Sequence, residues 1–465
     1  MTQTSEMTAD PSPAPPAAGF GAPRLLAHMP PPGAERGAWQ TLAEHRTRYP
    51  RPPMARARPL TAIIDLVDRA GLRGRGGAGF PTAVKMRSVA GGRGRAVVVA
   101  NGTEGEPASY KDKLLLCHRP HLVVDGALLA AAAVGACRVV IGVEETATEA
   151  LVALRRAVAE REACEPSAMA VEVVATPPGY VSGEESALVG FLNGGPALPT
   201  AVPPRVFERG VGRRPTLVGN VETLAHVAQI ARRGAAWFRE AGSEAEPGTM
   251  LVSVSGAVAR PGVLEVPIGV SLGAIVARAA PLGRVSAALV GGFYGTWVRS
   301  GDFPASFSRA GLSPLGASPG AGVVIVVGEG CCGLSETARI MAWYARQGAG
   351  QCGPCVFGLP ALAAEMAALA RGALAEGGLA RLQRWGGQVE GRGACRHPDG
   401  SVRLARSALA AFPLDLQAHL GGRPCAASLG AGAIPVPGDR PGHPGGPGGP
   451  GLPGRPGLPG RPGGR

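Results

Sequence analysis

Hydrophobic positions in the first half of the chain alternate between helical spacing and strand-like runs. Apolar residues recur at helical intervals over residues 59–72 and 121–136, whereas residues 95–102 and 137–145 are short, β-branched apolar runs. The segments therefore alternate as helix, strand, helix and strand. This order is typical of an α/β unit built around a parallel sheet.

The hydrophobic pattern changes twice further along the chain. Residues 249–279 combine short β-branched strands, a Pro-Gly turn and a helix, and residues 287–298 and 322–330 add strands, which predicts a small α+β unit. From Leu334 to about Leu420 the apolar spacing is helical. We therefore divide the chain into five segments, namely residues 1–55, 56–246, 247–330, 331–425 and 426–465.

Both ends of the chain lack a periodic apolar pattern. Residues 1–55 are rich in Pro, Ala and Arg and are predicted to be disordered. Gly-X-Y triplets run from Gly442 to the C terminus, and we interpret them as a flexible basic tail rather than a collagen helix. The start of the chain has no signal-peptide pattern, and the most apolar run, residues 126–137, is too short to span a bilayer. We therefore expect a cytoplasmic protein without direct membrane insertion.

The chain is strongly basic, with a formal net charge of +13 and only 4% aromatic residues. The basic residues are dispersed and are not interleaved with aromatic ones, which argues against nucleic acid as a partner. A phosphate-bearing ligand or an acidic protein partner accounts for the charge equally well. The 9 cysteines favour buried thiols and metal ligation over a disulfide framework.

The sequence GLRGRGGAGFPTAVKM, residues 71–86, concentrates glycine and positive charge. Gly74, Gly76 and Gly79 match the spacing G-x-G-x-x-G, but a helix rather than a strand precedes them, so the run fails as an ordinary dinucleotide fingerprint. Backbone N–H groups that lead into a helix form an anion site. The run is therefore predicted to hold a phosphate, and a mobile surface loop is the alternative.

Three further segments place polar side chains where a helix is predicted to start, at residues 101–113, 179–188 and 215–227. Carboxylates there suit ribose or ribityl hydroxyls, and an asparagine amide suits a flavin edge or a phosphate. Ordinary solvated helix starts favour the same residue types, so each segment alone has both interpretations.

Together and in this order, the four motifs resemble those of the flavin-bearing, NADH-oxidising subunit of respiratory complex I (the 51 kDa or F subunit family) and its hydrogenase and formate dehydrogenase relatives. The resemblance runs from about residue 59 to 420. It implies a multidomain α/β protein with a Rossmann-like domain for FMN and NAD(H), a ubiquitin-like α+β SLBB domain and a C-terminal helical iron–sulfur bundle. The predicted phosphate would then be that of FMN, with NADH stacked above the flavin.

The resemblance implies a cofactor-binding role for particular residues. The flavin phosphate loop would comprise Gly74, Arg75, Gly76 and Gly77. The other residues that would contact flavin or nucleotide are Phe80, Lys85, Asn101, Glu104, Glu106, Tyr180, Gly183, Glu184, Glu185, Asn220 and Thr223. No catalytic acid or base is implied, because hydride passes directly from nicotinamide to flavin. Arg205 stands where the family has a phenylalanine beside the nucleotide, which raises NADPH as an alternative to NADH.

The resemblance also implies a [4Fe–4S] cluster, which the family holds with four cysteines. Cys352, Cys355 and Cys395 match three of these ligands, and Ala349 stands in place of the first. Three outcomes stay open. The cluster is completed by water, His397 or a group from a partner; it is labile or has three irons; or it is lost.

The remaining cysteines are interpreted as core or surface thiols. Cys331 and Cys332 are less favoured as ligands, because the resemblance places them at the end of a strand in the preceding unit.

The leading hypothesis is an electron-input enzyme. It would oxidise NAD(P)H through FMN and pass single electrons through the cluster to an iron–sulfur partner, either ferredoxin-like or similar to the family's 24 kDa subunit. Any membrane association would be peripheral, through partner subunits. The alternatives are a degenerate, non-catalytic docking paralogue and a flavin diaphorase without a cluster.

Overall fold

The computed structural model describes residues 20–27, 39–50, 61–165, 169–429 and 432–438. These residues form two β-sheets with their helices and a helical C-terminal region. The predictions for the Gly-X-Y triplets from Gly442 onward lie outside the described residues.

The first sheet contains four parallel strands. They are β1 (Ala96–Gly102), β2 (Ala136–Glu144), β3 (Ala170–Thr176) and β4 (Thr216–Asn220). The strand order is β3-β2-β1-β4. Successive valines of β1 enter different hydrophobic clusters, Val98 on one face and Val97 and Val99 on the other. The strand is thus buried on both faces, which explains its uninterrupted apolar sequence and confirms the predicted α/β fold with a parallel sheet.

Eight helices accompany this sheet in the described residues. They are α1 (Leu42–Arg48), α2 (Thr61–Ala70), α3 (Thr82–Ala90), α4 (Lys111–His118), α5 (Pro120–Ala133), α6 (Thr148–Cys164), α7 (Glu185–Leu192) and α8 (Val221–Arg239). Helices α5 and α8 pack closely, and a Cβ atom at Gly126 would lie 1.8 Å from the Leu224 carbonyl oxygen. No single helix in the described ranges is long and apolar enough to cross a membrane. Helices α4 and α5 together have the length and composition of a membrane span, but the chain bends by 98° at their junction.

Parts of the N-terminal segment pack on the folded chain, with Leu25 in the core of the first unit and Glu265 in the second. Leu25 is fully buried, and the Glu265 carboxylate accepts hydrogen bonds from three successive backbone N–H groups around it. Helix α1 begins at a Thr41 capping box. The predicted disorder of residues 1–55 is therefore wrong for the two described stretches, because short segments can be ordered by tertiary contacts without a periodic pattern.

The second sheet is mixed. Its strands are β5 (Thr249–Gly256), β6 (Gly262–Pro267), β7 (Val285–Val290), β8 (Thr296–Arg299) and β9 (Val323–Gly328), in the order β6-β5-β9-β7-β8. β5 and β9 are parallel, and the other pairs are antiparallel. One face packs on α9 (Leu272–Arg278), and the short helix α10 (Arg309–Leu312) precedes β9.

The other face of the second sheet shares a core with the C-terminal helices. These are α11 (Gly333–Gln347), α12 (Leu359–Ala370), α13 (Gly378–Val389), α14 (His397–Ala411) and α15 (Pro413–Leu420), with a π-helical turn at Pro354–Gly358. Ile434 and Val436 are buried in the same core. The start of the predicted tail is therefore docked on the helical region.

Candidate nucleotide site and thiol clusters

Asn101 and Asn220 mark the carboxyl edge of the first sheet. Asn101 lies near the end of β1, Asn220 ends β4, and the strand register places them side by side. The chain runs from β1 to β2 and β3 on one side and reaches β4 on the other, so the order reverses between β1 and β4. Open parallel sheets bind ligands in the crevice at such a switch point.

The glycine-rich loop between α2 and α3 approaches Asn220. A Cβ atom at Gly76 would lie 3.2 Å from the Asn220 Cβ, so only a bare backbone fits there without displacement. Gly77 and Gly79 have φ angles of +114° and +61°, which favour glycine. The loop therefore presents backbone at the crevice, as an anion cradle requires.

Arg75 is tied into the protein by both its backbone and its side chain. Its backbone N–H donates to the Thr223 hydroxyl at 2.8 Å. Its buried Nε donates to the Thr249 carbonyl at 3.2 Å and lies 4.0 Å from a Glu222 oxygen. The structure thus places this guanidinium in the interior, so the loop offers N–H groups to a ligand rather than the charge of Arg75.

Lys85 and Phe80 lie on either side of the start of α3. Lys85 Nζ donates to the Glu185 carboxylate at 2.9 Å, which joins α3 to the first residue of α7. Phe80 is 53% exposed, while its carbonyl accepts from the Gly74 N–H at 2.9 Å. An exposed ring held beside the glycine-rich loop can stack on a planar ligand.

The carboxylates of the acidic loop after β1 bind to other parts of the protein. The Glu104 carboxylate accepts from the N–H groups of Asp112 and Lys113 at 3.0 and 3.1 Å and so caps α4. Glu106 accepts from the Phe293 N–H at 3.0 Å, and burial raises the pKa of Glu106 to about 7. Both carboxylates accept hydrogen bonds from backbone N–H groups of the protein, which differs from the predicted contacts with ribose or ribityl hydroxyls.

The segment before α7 packs directly against this acidic loop. Asn101 Nδ2 donates to the Gly183 carbonyl at 2.8 Å, and a Cβ at Gly183 would lie 2.7 Å from the Thr103 carbonyl oxygen. Glu184 caps α7 through the Ser186 N–H at 2.9 Å. Two of the predicted motifs are thus brought together by backbone contact.

A buried charge cluster, which the sequence pattern did not predict, lies beneath the crevice. Lys111 Nζ is 2.7 Å from Asp112 Oδ1 and 2.9 Å from Glu222 Oε2, and Asn220 Nδ2 donates to Asp112 Oδ2 at 2.6 Å. Burial raises the pKa of Asp112 to about 6 against the attraction of Lys111. Burial also opposes ionisation of Glu222, but Lys111 and the other nearby cations outweigh it and lower its pKa to about 2. The adjacent opposite charges in the Lys-Asp-Lys sequence at the start of α4 are the sequence feature that could have indicated this cluster.

Tyr180 connects this region to the C-terminal helices. Its hydroxyl lies 2.8 Å from that of Tyr344, and its ring stacks on Tyr294 at a centroid distance of 5.8 Å. The rings of Trp343 and His397 complete the cluster. Burial raises the pKa of Tyr180 and of Tyr344 well above the usual value for tyrosine. A packed set of aromatic rings therefore connects the segment before α7 to α11 and α14.

The three predicted cluster cysteines lie close together beside these rings. Cys355 is buried in the π-helical turn, and a Cβ at Gly348 would lie 3.4 Å from its sulfur. Burial raises the pKa of Cys355 to about 11, and the neighbouring thiols of Cys352 and Cys395 add to this shift. Ala349, in the turn before Cys352, is half-buried.

His397, two residues after Cys395, contains an unpaired buried atom. Its Nε2 donates to the Tyr344 carbonyl at 3.1 Å, whereas Nδ1 is buried and has no hydrogen-bond partner in the described residues. Burial lowers the pKa of His397 to about 4, so the ring is neutral at pH 7. A neutral imidazole with a free ring nitrogen is a competent metal ligand. Three thiols and this nitrogen fit an iron–sulfur cluster in number and chemistry.

A second group of soft ligands was not predicted. The sulfur atoms of Cys332 and Cys425 and a ring nitrogen of His419 all lie within 4.8 Å of one another. Cys332 caps α11 and does not end β9, which corrects its expected place at the end of a strand. The three residues are too far apart in sequence to form a recognisable motif.

An anion cradle at a parallel-sheet switch point and a group of thiols among the C-terminal helices together define a class of protein: a nucleotide-binding redox protein with a thiol-held metal centre. Comparison with known families agrees. The Nuo51 FMN-binding domain matches residues 67–229, and the NADH-ubiquinone oxidoreductase-F iron-sulfur binding region matches residues 335–419.

Individual relatives cover most of the chain. The F 2 subunit of the NADH-quinone oxidoreductase of Rhizobium meliloti (strain 1021) is 31% identical over 379 residues, which are 78% of this chain and 90% of the relative. The F subunit of the Escherichia coli (strain K12) enzyme is 32% identical over 385 residues, 77% of this chain and 84% of the relative. The chain belongs to the family of NADH-quinone oxidoreductase F subunits.

A solved structure of similar fold is that of an NAD⁺-reducing [NiFe]-hydrogenase in the air-oxidized state. It has a TM-score of 0.73 and 34% identity, and the match covers 79% of this chain and 64% of that one. The family prediction is thus confirmed. FMN and an iron–sulfur cluster are confirmed as the cofactors of the two domain families that the chain contains.

Proposed function

We propose that this protein oxidises NADH at a bound FMN and passes the electrons through an iron–sulfur cluster to a protein partner. The observation that carries the proposal is the position of the glycine-rich loop. It approaches Asn220 at the switch point of the parallel sheet, where a Cβ atom at Gly76 would lie 3.2 Å from the Asn220 Cβ.

In this proposal the residues predicted from the four motifs bind and orient the cofactor and the nucleotide. In the loop from Gly74 to Gly77, the N–H groups of Gly76 and Gly77 hold the flavin phosphate, because those of Gly74 and Arg75 already donate to protein oxygens. Lys85 supplies positive charge near the crevice, and the exposed ring of Phe80 packs on the nicotinamide nucleotide. The flavin, when bound, supplies hydride acceptance and one-electron release, and the protein contributes alignment and a dry, fixed electrostatic environment.

The buried cluster around Lys111 supports a fixed environment of this kind. In the interior, Lys111 Nζ lies 2.7 Å from Asp112 and 2.9 Å from Glu222. Asp112 in turn accepts a hydrogen bond from the Asn220 amide and holds it in place. We propose that this arrangement fixes the asparagine that contacts the flavin. Glu104, Glu106 and Gly183 would act as positioning residues for the same crevice, because their contacts are to protein groups.

We propose that Cys352, Cys355, Cys395 and the Nδ1 atom of His397 hold the cluster. The unpaired, buried Nδ1 atom supports this choice among the three outcomes left open by the sequence, because a buried polar atom without a partner is costly. The aromatic rings around Tyr180 connect the segment before α7 to His397.

We also propose the finer domain assignment. Residues 56–246 form the FMN and NAD(H) domain, residues 247–330 a ubiquitin-like SLBB domain, and residues 331–425 the iron–sulfur bundle. The parallel β5–β9 pair flanked by antiparallel partners supports the second assignment.

The proposed electron acceptor is an acidic iron–sulfur protein, ferredoxin-like or similar to the family's 24 kDa subunit, because the chain has a net charge of +13. A cytoplasmic location, with any membrane association through partner subunits, remains a prediction. NADH is the proposed substrate, and the exposed Arg205 keeps NADPH as the alternative.

The test is an anaerobic absorbance spectrum of the purified protein, with flavin and iron counted, before and after addition of NADH. We expect the flavin band to bleach together with a change in the iron–sulfur band. Cys355→Ser should lose the iron-dependent change and keep flavin bleaching, which separates the two cofactors. Repeating the titration with NADPH gives the substrate preference.

The flavin and iron contents also distinguish the proposed function from its two alternatives. Flavin bleaching in a wild-type protein without iron would indicate a diaphorase and would contradict the electron-transfer route. If the protein takes up neither flavin nor iron after reconstitution with both, the catalytic proposal is wrong and the docking alternative is favoured.

A further inference from the structure

Three soft ligand atoms converge between the start of α11 and the segment that follows α15. Cys332 Sγ lies 3.7 Å from His419 Nε2, and both sulfurs and the ring nitrogen fall within 4.8 Å of one another. Cys332 and His419 are buried and Cys425 is half-buried. None of the three belongs to the predicted cluster ligands.

The orientation of His419 is set by a backbone carbonyl. Its Nδ1 lies 3.1 Å from the Leu369 carbonyl oxygen, so Nδ1 carries the proton and donates. The lone pair of Nε2 lies on the side of the thiols, where it accepts a long hydrogen bond of 3.3 Å from the Cys425 N–H, which a bound metal would replace. Metal-ligating histidines usually donate their second ring N–H to a carbonyl or carboxylate in this way. The Ser335 N–H also donates to Cys332 Sγ at 3.4 Å, which fixes the position of this sulfur at the start of α11.

We propose that Cys332, His419 and Cys425 bind a zinc ion. Thiolate sulfur and neutral imidazole nitrogen are the ligands that structural zinc sites use. Two thiolates and one Zn²⁺ carry no net charge together, so the group can be buried without an unpaired charge. Three protein ligands leave one tetrahedral position, which water or a further side chain would fill.

The proposed zinc site would fasten the C-terminal segment to the helical core. Cys332 and His419 are separated by 87 positions in sequence, and Cys425 follows α15. Metal binding that requires the folded arrangement adds its free energy to folding. The proposal does not rest on FMN, NADH or the iron–sulfur cluster, so it stands or falls apart from the proposed function.

The test adds Zn²⁺ to the anaerobically purified full-length protein, removes unbound metal by gel filtration and counts zinc and iron by mass spectrometry. We expect one zinc per chain in the wild type and in Cys164→Ser, an exposed control thiol. Cys332→Ser and Cys425→Ser should lose the zinc. Cys355→Ser should keep it, because its thiol belongs to the other group. Absence of zinc from the wild type, or its loss only in Cys355→Ser, would overturn the proposal.

A second measurement on the wild type covers the case in which the serine variants do not fold. The zinc-loaded protein is alkylated with and without a chelator, and the labelled cysteines are mapped. Chelation should increase labelling of Cys332 and Cys425 and leave Cys164 unchanged. Labelling of the pair that is independent of chelator, or a disulfide between them, would refute zinc ligation.

Discussion

The backbone N–H of Arg75 donates a hydrogen bond of 2.8 Å to the hydroxyl of Thr223. This single bond joins the glycine-rich loop to the first turn of α8, which begins directly after β4. The position of the loop is therefore fixed relative to the sheet edge, and the cradle is held in place before any ligand binds. Preorganised donors lower the cost of binding an anion.

Replacing Thr223 by valine should weaken FMN binding about tenfold. The substitution leaves the Arg75 N–H buried without an acceptor, which costs about 1–3 kcal/mol and loosens the loop. Thr223→Ser keeps the hydroxyl and should bind almost as the wild type does. Titration of the apoprotein with FMN, followed by flavin fluorescence, measures both affinities. Equal affinities for the valine and serine variants would show that this bond does not preorganise the loop.

Gly126→Ala should destabilise the first unit strongly. Its Cβ would lie 1.8 Å from the Leu224 carbonyl oxygen, so α5 and α8 would have to separate, at a cost of about 3 kcal/mol or more. Gly387→Ala is the matched control in α13, since nothing lies within 4 Å of its Cβ. It should stabilise by about 0.5–1 kcal/mol through helix propensity. Urea unfolding midpoints compare the two, and a Gly126→Ala midpoint at or above the wild-type value would refute the close contact.

The strands that the sequence pattern predicts are those with long, continuous apolar runs. β1 and β2 are long valine-rich runs covered on both faces, and they are evident in the sequence. Most residues of β3 are exposed or half-buried, so its sequence lacks a continuous apolar run. β4 has only five residues and ends in Gly219 and Asn220. Neither segment therefore gives a strong strand signal. Pairing with a neighbouring strand, rather than propensity, makes them strands.

The candidate site shows the same division. Motifs that follow parallel strands meet because the carboxyl ends of those strands share one edge, so their proximity could be anticipated. The contact of Tyr180 with Tyr344 spans 164 positions, and the inward turn of Glu106 depends on the Phe293 N–H in the second sheet. Such contacts depend on how the units pack, which no local spacing encodes.

The buried carboxyl of Glu106 should make the protein less stable as pH rises. Its pKa is raised from 4.5 to about 7, mainly by burial, so between these values the folded state binds more protons than the unfolded state. Stability therefore falls with rising pH through this window and levels off above it, with this group contributing on the order of 3 kcal/mol. Glu106→Gln cannot ionise and should remove that part of the decline.

The measurement is the urea midpoint of wild type and Glu106→Gln between pH 4.5 and 8, with the exposed Glu149→Gln as control. Asp112, whose pKa is also raised, contributes to both proteins and cancels in the difference. Parallel profiles for wild type and Glu106→Gln would show that folding does not raise the pKa of Glu106.

Ala349 occupies the position of the missing cluster cysteine, and His397 is the proposed substitute ligand. His397→Gln should lose most of the bound iron, because it removes the unpaired Nδ1 atom that we propose as the fourth ligand. Ala349→Cys in the same chain should restore iron, since it supplies the thiolate that the family uses. Ala349→Ser, which adds no thiol, is the matched control and should not restore it. Iron and sulfide per chain are counted after anaerobic reconstitution. If His397→Gln keeps its iron, the fourth ligand lies elsewhere; if it loses iron that Ala349→Cys cannot restore, the histidine acts through packing with Tyr344 instead of through the metal.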